Sequence, residues 1–162
     1  MAIAGTLSGA ARVAIETIDQ PEALALVGEL DALLEPLYPP ESRHGLNVAA
    51  LRAKNVFFVV ARDEKGQPMG CGAVMHSDGF AELKRMYVRA TARKRGVGAA
   101  IIGFLEQHAA DHGFMTIRLE TGTRQLDALS FYEGMGYARR GPFGAYRPDP
   151  LSIFMEKMLI RP

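Results

Sequence analysis

Residues 82–100 read Glu-Leu-Lys-Arg-Met-Tyr-Val-Arg-Ala-Thr-Ala-Arg-Lys-Arg-Gly-Val-Gly-Ala-Ala. Ser77-Asp78-Gly79 marks a turn into a strand over Phe80–Val88. A basic turn follows, holding Arg93, Lys94, Arg95, Gly96 and Gly98. The spacing of Val97, Ile101, Phe104, Leu105 and His108 then predicts an amphipathic helix over Val97–His112, ended by Gly113. A helix N-terminus offers unpaired N–H groups and a partial positive charge, which suits an anionic phosphate. Glycines let a ligand approach the backbone, and Arg and Lys supply countercharge. These residues predict a pyrophosphate site at the start of the helix. A Walker loop needs Lys-Ser or Lys-Thr after its last glycine, whereas Gly98 is followed by Ala99-Ala100. A Rossmann fingerprint needs three glycines at the opening of the fold, and only Gly96 and Gly98 are present.

Upstream of this stretch, Arg12–Ile18 alternates as a strand. Pro21 opens a helix carrying Leu24, Val27, Leu30, Leu33 and Leu34, with Tyr38-Pro39-Pro40 as its stop. Glu41–Arg52 reads as a loop with a short helix and Asn47 as a cap. Asn55–Ala61 is a β-branched and aromatic strand, and Asp63-Glu64-Lys65-Gly66 turns it into Met69–His76. Downstream, Met115–Glu120 alternates as a strand and Thr123–Met135 is helical, with Leu126, Leu129, Tyr132 and Met135 on one face. Short strands near Tyr137–Arg140 and over Ser152–Leu159 close the chain around a Gly/Pro-rich loop, Gly141–Pro150. The order is mixed α/β, with a right-handed crossover making Phe80–Val88 and Met115–Glu120 parallel.

The 162 residues fit one domain, with residues 1–11 as a loose N-terminal segment. Nineteen Lys and Arg against 18 Asp and Glu leave a formal charge of +1, which argues against a general nucleic-acid binder. The lone Cys71 excludes an internal disulfide and reads as a small buried hydrophobe. There is no signal-peptide pattern and no apolar run approaching the ~20 residues of a membrane span, so a cytoplasmic protein is expected. No ligand cluster for a metal is visible, and His108 and His112 read as structural or surface residues.

Arg93-Lys94-Arg95-Gly96-Val97-Gly98, an Arg-x-x-Gly-x-Gly pattern between strand and helix, resembles the acetyl-CoA signature of the GNAT superfamily of N-acetyltransferases. A second segment, Ala128-Leu129-Ser130-Phe131-Tyr132-Glu133-Gly134-Met135-Gly136-Tyr137, is similar to the family's Ala-x-x-Phe-Tyr-x-x-x-Gly-Phe motif. In element order the resemblance spans residues 12–160. It implies a mostly antiparallel central sheet flanked by helices, with central strands splayed to admit the cofactor. It further implies acetyl-CoA as co-substrate. The resemblance places the pyrophosphate on the turn Arg93, Lys94, Arg95, Gly96, Val97, Gly98 and Ala99, and implies that the N–H groups of Lys94, Gly96, Gly98 and Ala99 hold it. It implies that Met86, Tyr87 and Val88 pair with the pantetheine arm and that the Val88 N–H polarises the thioester. Gln125 stands where relatives often carry a cofactor-contacting Asn.

The resemblance makes Tyr132 the general acid for the thiolate and Glu82 the base for the amine; a water route and His44 stay open as alternatives to Glu82. Ser42, Arg43, His44, Phe143 and Tyr146 are the candidate acceptor-binding residues, with Arg43 and Arg147 able to hold a carboxylate. The expected reaction is direct transfer to a primary amine of a small metabolite in a ternary complex. Acetylation of a protein lysine or N-terminus, and a non-catalytic acyl-CoA sensor, are the competing readings. The resemblance also admits a homodimer, although no residue marks an interface.

Overall fold

A computed structural model of the chain describes residues 11–159. The N-terminal segment expected to be loose lies outside the described residues, apart from Ala11, which is fully buried. Seven strands form one sheet: β1 (Arg12–Ile15), β2 (Val56–Arg62), β3 (Pro68–His76), β4 (Ala81–Val88), β5 (Thr116–Gly122), β6 (Ala138–Arg140) and β7 (Ser152–Met158). Their spatial order is β1-β2-β3-β4-β5-β7-β6. Three α-helices accompany them: α1 (Pro21–Leu34), α2 (Val97–Asp111) and α3 (Leu126–Gly134). The segment expected to hold a short helix forms two 3-10 turns, Pro40–Ser42 and Ala50–Arg52, and the Asn47 side chain accepts the Ala50 N–H at 2.8 Å.

The sheet separates two cores. On one face, Val59, Ala61, Val74 and Leu83 pack with Val97, Ile101, Ile102 and Leu105 of α2 and with Leu129 and Tyr132 of α3. On the other, Phe58, Val60, Cys71 and Ala73 pack with Ala23, Leu26 and Val27 of α1. Two helices depart from expectation, α1 by rotation and α3 by a shorter buried stripe on the expected face. α1 buries Ala23, Leu26, Val27 and Leu30 and leaves Leu24 and Leu33 in solvent. Leucines lie on more than one side of this helix, so periodicity alone left its inner face open. α1 also stops before Pro36, ahead of the Pro39-Pro40 pair. In α3, Leu126 is exposed and only Leu129 and Tyr132 are buried.

The feature that positions the site lies between β4 and β5. They pair in parallel, as expected, but through only two register pairs, Ala81↔Ile117 and Glu82↔Arg118. Beyond Glu82 the strands part. β4 stays on β3, where Arg85 and Met86 together oppose the single residue Gly72. Arg85 has φ 56°, which a side-chain-bearing residue seldom adopts. A bulge of this kind bends and twists its strand. Past Glu82, β4 therefore has no strand neighbour on its β5 side, and main-chain groups along that edge are left for another partner.

Candidate active site

The turn before α2 is shaped by two left-handed residues. Lys94 has φ 62° and Gly96, the residue capping α2, has φ 78°. At Gly96 a side chain would cost about 1–2 kcal/mol. The first intrahelical bond runs from Ala100 N–H to Gly96 C=O, so the N–H groups of Val97, Gly98 and Ala99 have no partner within the helix. Arg93, Lys94 and Arg95 are exposed around them, with no ion pair among the described residues. The Arg93 Nε–H instead donates to Val88 C=O at 3.0 Å, tying the turn to the end of β4. A Cβ on Gly98 would lie 3.1 Å from the Phe131 ring, so this glycine also lets α2 approach α3. Free amides, a helix terminus and three cations on the turn beyond the unpaired β4 edge fit a diphosphate on an extended tether.

The splayed strands open into a cleft of about 120 Å³. Lys84 and Met86 of β4, Glu120 of β5, and Gln125 and Tyr132 at α3 line it, with His44 and Tyr146 from two loops. Of the other β4 candidates, Tyr87 turns to α1, where its hydroxyl donates to Glu29 at 3.1 Å, and Val88 is half-buried against the α2 core.

Tyr132 is buried, its ring 5.5 Å from that of Phe131 and 5.9 Å from that of Tyr137. Its hydroxyl has no hydrogen-bond partner among the described residues. Burial, and then the charge of Glu120, raise the phenol above its ordinary value, so it remains a proton donor at neutral pH. Glu120 is the residue that sequence reasoning missed. It accepts the Ser152 hydroxyl at 2.7 Å, and burial raises its carboxyl despite the opposing charges of His44 and Lys84. The signal available was its place at the end of the strand expected to run parallel to Phe80–Val88, where α/β sheets gather their sites.

Glu82 does not line the cleft. Its Oε2 lies 2.9 Å from Lys84 Nζ and accepts the Tyr146 hydroxyl at 2.5 Å, and Lys84 also donates to Tyr146 Oη and to His44 C=O at 3.3 Å. Burial, then the Glu82 charge, raises the Tyr146 phenol. Of the two basic neighbours available to Glu82, only Lys84 pairs with it; the Arg85 guanidinium reaches Asp31 at 2.7 Å. The network fastens both loops to β4. Ser42 adds a 2.8 Å hydrogen bond to Asp149, and His44 Nε2 stands 3.5 Å from the same carboxylate.

Ser42, Arg43, His44 and Tyr146 thus meet at one end of the cleft. Phe143 does not join them: it is packed between Phe80 and Phe154. Arg147 is exposed and outside the cleft lining, whereas Arg85, which sequence reading treated only as a partner for Glu82, is buried within it. The Nε atoms of Arg43 and Arg85 are buried without a protein partner. Cys71 is fully buried, its thiol pushed up to about 12 by burial, which makes it inert.

A parted parallel strand pair, an unpaired strand edge and a glycine-capped helix start define an acyl-CoA-using transferase. The sequence profile of the acetyltransferase (GNAT) family matches residues 25–137, and the chain belongs to that family. It is an acetyl-CoA-dependent N-acetyltransferase. The IAA acetyltransferase of Azospirillum brasilense is 42% identical over 149 residues, covering 91% of this chain and 97% of the relative. The uncharacterized N-acetyltransferase YsnE of Bacillus subtilis is 31% identical over 150 residues, covering 91% and 99%. Among solved structures, a Klebsiella pneumoniae protein assigned as an acyl-CoA N-acyltransferase superposes with TM-score 0.78 at 34% identity, covering 93% of this chain and 98% of its own. The PaiA N-acetyltransferase of Thermoplasma acidophilum, solved with coenzyme A, shares the fold at TM-score 0.71 and 18% identity, covering 91% and 98%. No helix among the described residues is long and apolar enough to cross a membrane.

Proposed function

We propose that this enzyme acetylates the primary amine of a small cytoplasmic metabolite bearing an acidic group, within a ternary complex. The observation that carries the reading is the cleft between the parted strands, where Glu120 and Tyr132 stand on different walls and two arginines have unpartnered Nε atoms. Acetyl-CoA supplies an activated acetyl thioester. The amides of Val97, Gly98 and Ala99 hold its diphosphate, with Arg93, Lys94 and Arg95 as countercharge, and the β4 edge at Met86–Val88 lies along the tether. Gln125, at the start of α3, contacts the same arm.

Glu120 takes the proton from the amine, directly or through one water, because its raised proton affinity and place in the cleft suit a base. Tyr132 returns a proton to the departing thiolate. Glu82 acts through others, as a positioning residue that orients Lys84 and Tyr146. Arg43 and Arg85 hold the acceptor's acidic group, with Ser42 and His44 shaping the same end. The small cleft and a relative named for IAA support a small acceptor.

An acetyl-CoA thiol-release assay against a panel of amines tests this. Fast turnover of amines that carry a carboxylate, with loss of kcat/KM in Arg43→Ala, is expected. Turnover of peptide N-termini or lysines alone overturns the small-acceptor reading, and CoA binding with no turnover on a broad panel supports a sensor.

A further inference from the structure

Three of the chain's four histidines converge outside the cleft. His76 ends β3, and His108 and His112 lie four residues apart at the end of α2 and just beyond it. Their ring centroids are 5.4 Å (His76–His108), 5.2 Å (His76–His112) and 4.1 Å (His108–His112) apart. One ring nitrogen from each lies within 4.8 Å of those of the other two. The sequence reading saw no ligand cluster, because the third histidine comes from a different element and only strand-helix packing brings it alongside.

We propose that His76, His108 and His112 form a binding site for a borderline divalent transition cation, zinc above all. Three observations carry it. First, the Nε2 atoms of His76 and His108 are buried and have no hydrogen-bond partner, a state buried polar atoms seldom keep without a ligand. Second, His112 Nδ1 is 2.7 Å from His108 C=O. That nitrogen carries the proton and donates, leaving a lone pair on His112 Nε2, the arrangement that orients a metal-binding imidazole. Third, Phe57 walls the site, its ring 4.4 Å from His108 and 4.7 Å from His76, and Phe114 lies 4.6 Å from His76. Such an apolar wall restricts water around the nitrogens.

Burial, and then the neighbouring imidazoles, hold His108 down to about 4, so its ring is neutral in ordinary buffers. Zinc–nitrogen bonds of about 2.0–2.1 Å bring tetrahedral ligand atoms to roughly 3.4 Å, a contraction that side-chain torsions can supply. Three imidazoles leave a fourth position for water or an anion. Imidazole donors suit zinc, copper and nickel and disfavour calcium and magnesium. The cation would clamp the end of β3 to the end of α2. The helix is 15 residues long, so at 1.5 Å per residue the clamp stands roughly 22 Å from the phosphate turn. The three histidines share no residue with the cleft.

The test is calorimetric titration of zinc chloride into chelator-stripped, tag-free protein. We expect one equivalent per chain with micromolar or tighter affinity, and the intense visible bands of four-coordinate cobalt when Co²⁺ replaces zinc. His112→Ala removes an exposed ring and should fold normally; it and His76→Gln should each weaken binding at least tenfold. At a hundredfold excess over the wild-type Kd, zinc should raise the wild-type Tm by about 5–10 °C and the His112→Ala Tm by no more than about half of that. The kcat/KM of zinc-free His112→Ala should equal that of the zinc-free wild type. Absence of a stoichiometric site, or equal zinc affinity in wild type and both variants, overturns the proposal.

Discussion

Replacing Tyr132 with phenylalanine removes one oxygen from the cleft and leaves the ring. The consequences for folding and for chemistry separate cleanly. The hydroxyl has no hydrogen-bond partner among the described residues, and the ring contacts with Phe131 and Tyr137 do not involve it. Stability should therefore change by about 0.5 kcal/mol or less, moving Tm by no more than about 2 °C. A general acid contributes about 10²–10⁴-fold to its step, equivalent to about 3–5 kcal/mol of barrier. Because burial and the Glu120 charge keep this phenol protonated at neutral pH, the whole contribution is available in the wild type and absent in the variant. Steady-state thiol release at saturating amine should show kcat reduced at least a hundredfold. Calorimetry should find CoA affinity within about threefold of wild type. A kcat within threefold of wild type would falsify the assignment of Tyr132 as proton donor. A fall in kcat that tracks a fall in Tm or in CoA affinity would count equally against it, since the loss would then be structural.

Glu120→Gln should lower kcat/KM at least a hundredfold and abolish the acid limb of the pH–rate profile. In the wild type that limb should lie above the ~4.3 of an ordinary glutamate, because burial raises the carboxyl. A raised carboxyl also costs folding stability once ionised. The variant should therefore melt higher than wild type at neutral pH, with the gap closing as pH falls through the raised folded value toward ~4.3 and gone below it; an identical pH–rate profile, or a gap that widens in acid, contradicts this reading. Gly98→Val places branched carbon both against Phe131, 3.1 Å from a Cβ at this position, and over the helix start. Calorimetry should find acetyl-CoA affinity weakened at least tenfold, and unchanged affinity refutes the phosphate placement. Gly122→Ala puts a methyl 1.8 Å from the hydroxyl of buried Tyr38. The displaced ring should cost about 1–3 kcal/mol and lower Tm by about 2–4 °C per kcal/mol, and an unchanged melt shows that Tyr38 moves freely.

Local patterns made several parts of the site legible in the chain. Gly96 and Gly98 between a strand and an apolar-periodic helix announced a helix start built for an anion, and the structure has that capped start with unbonded amides. Strand existence and order also followed from alternation and turn residues, because those patterns act over a few neighbours. Pairwise choices across the fold were less visible. Glu82 and Glu120 both lie on polar positions of neighbouring parallel strands, and neither sequence context says which carboxylate meets the cleft. Register decides it: pairing ends at Glu82↔Arg118, so Glu120 lies where the strands have already parted, while Glu82 stays in the paired region with Lys84 and Tyr146. Phe143 and Tyr146 share one loop and both pack on Phe154, yet only Tyr146 also reaches the cleft.

The linear order of residues determined the family, the mixed α/β class and the cofactor turn, because each rests on contacts between residues close along the chain. Tertiary packing decided which face of α1 is buried, which carboxylate stands in the cleft, and that His76 joins His108 and His112. Those outcomes depend on strand register and on the rotation of helices against the sheet. Both are set by burying the largest apolar surface at once, a competition among the whole chain's side chains that no local window contains.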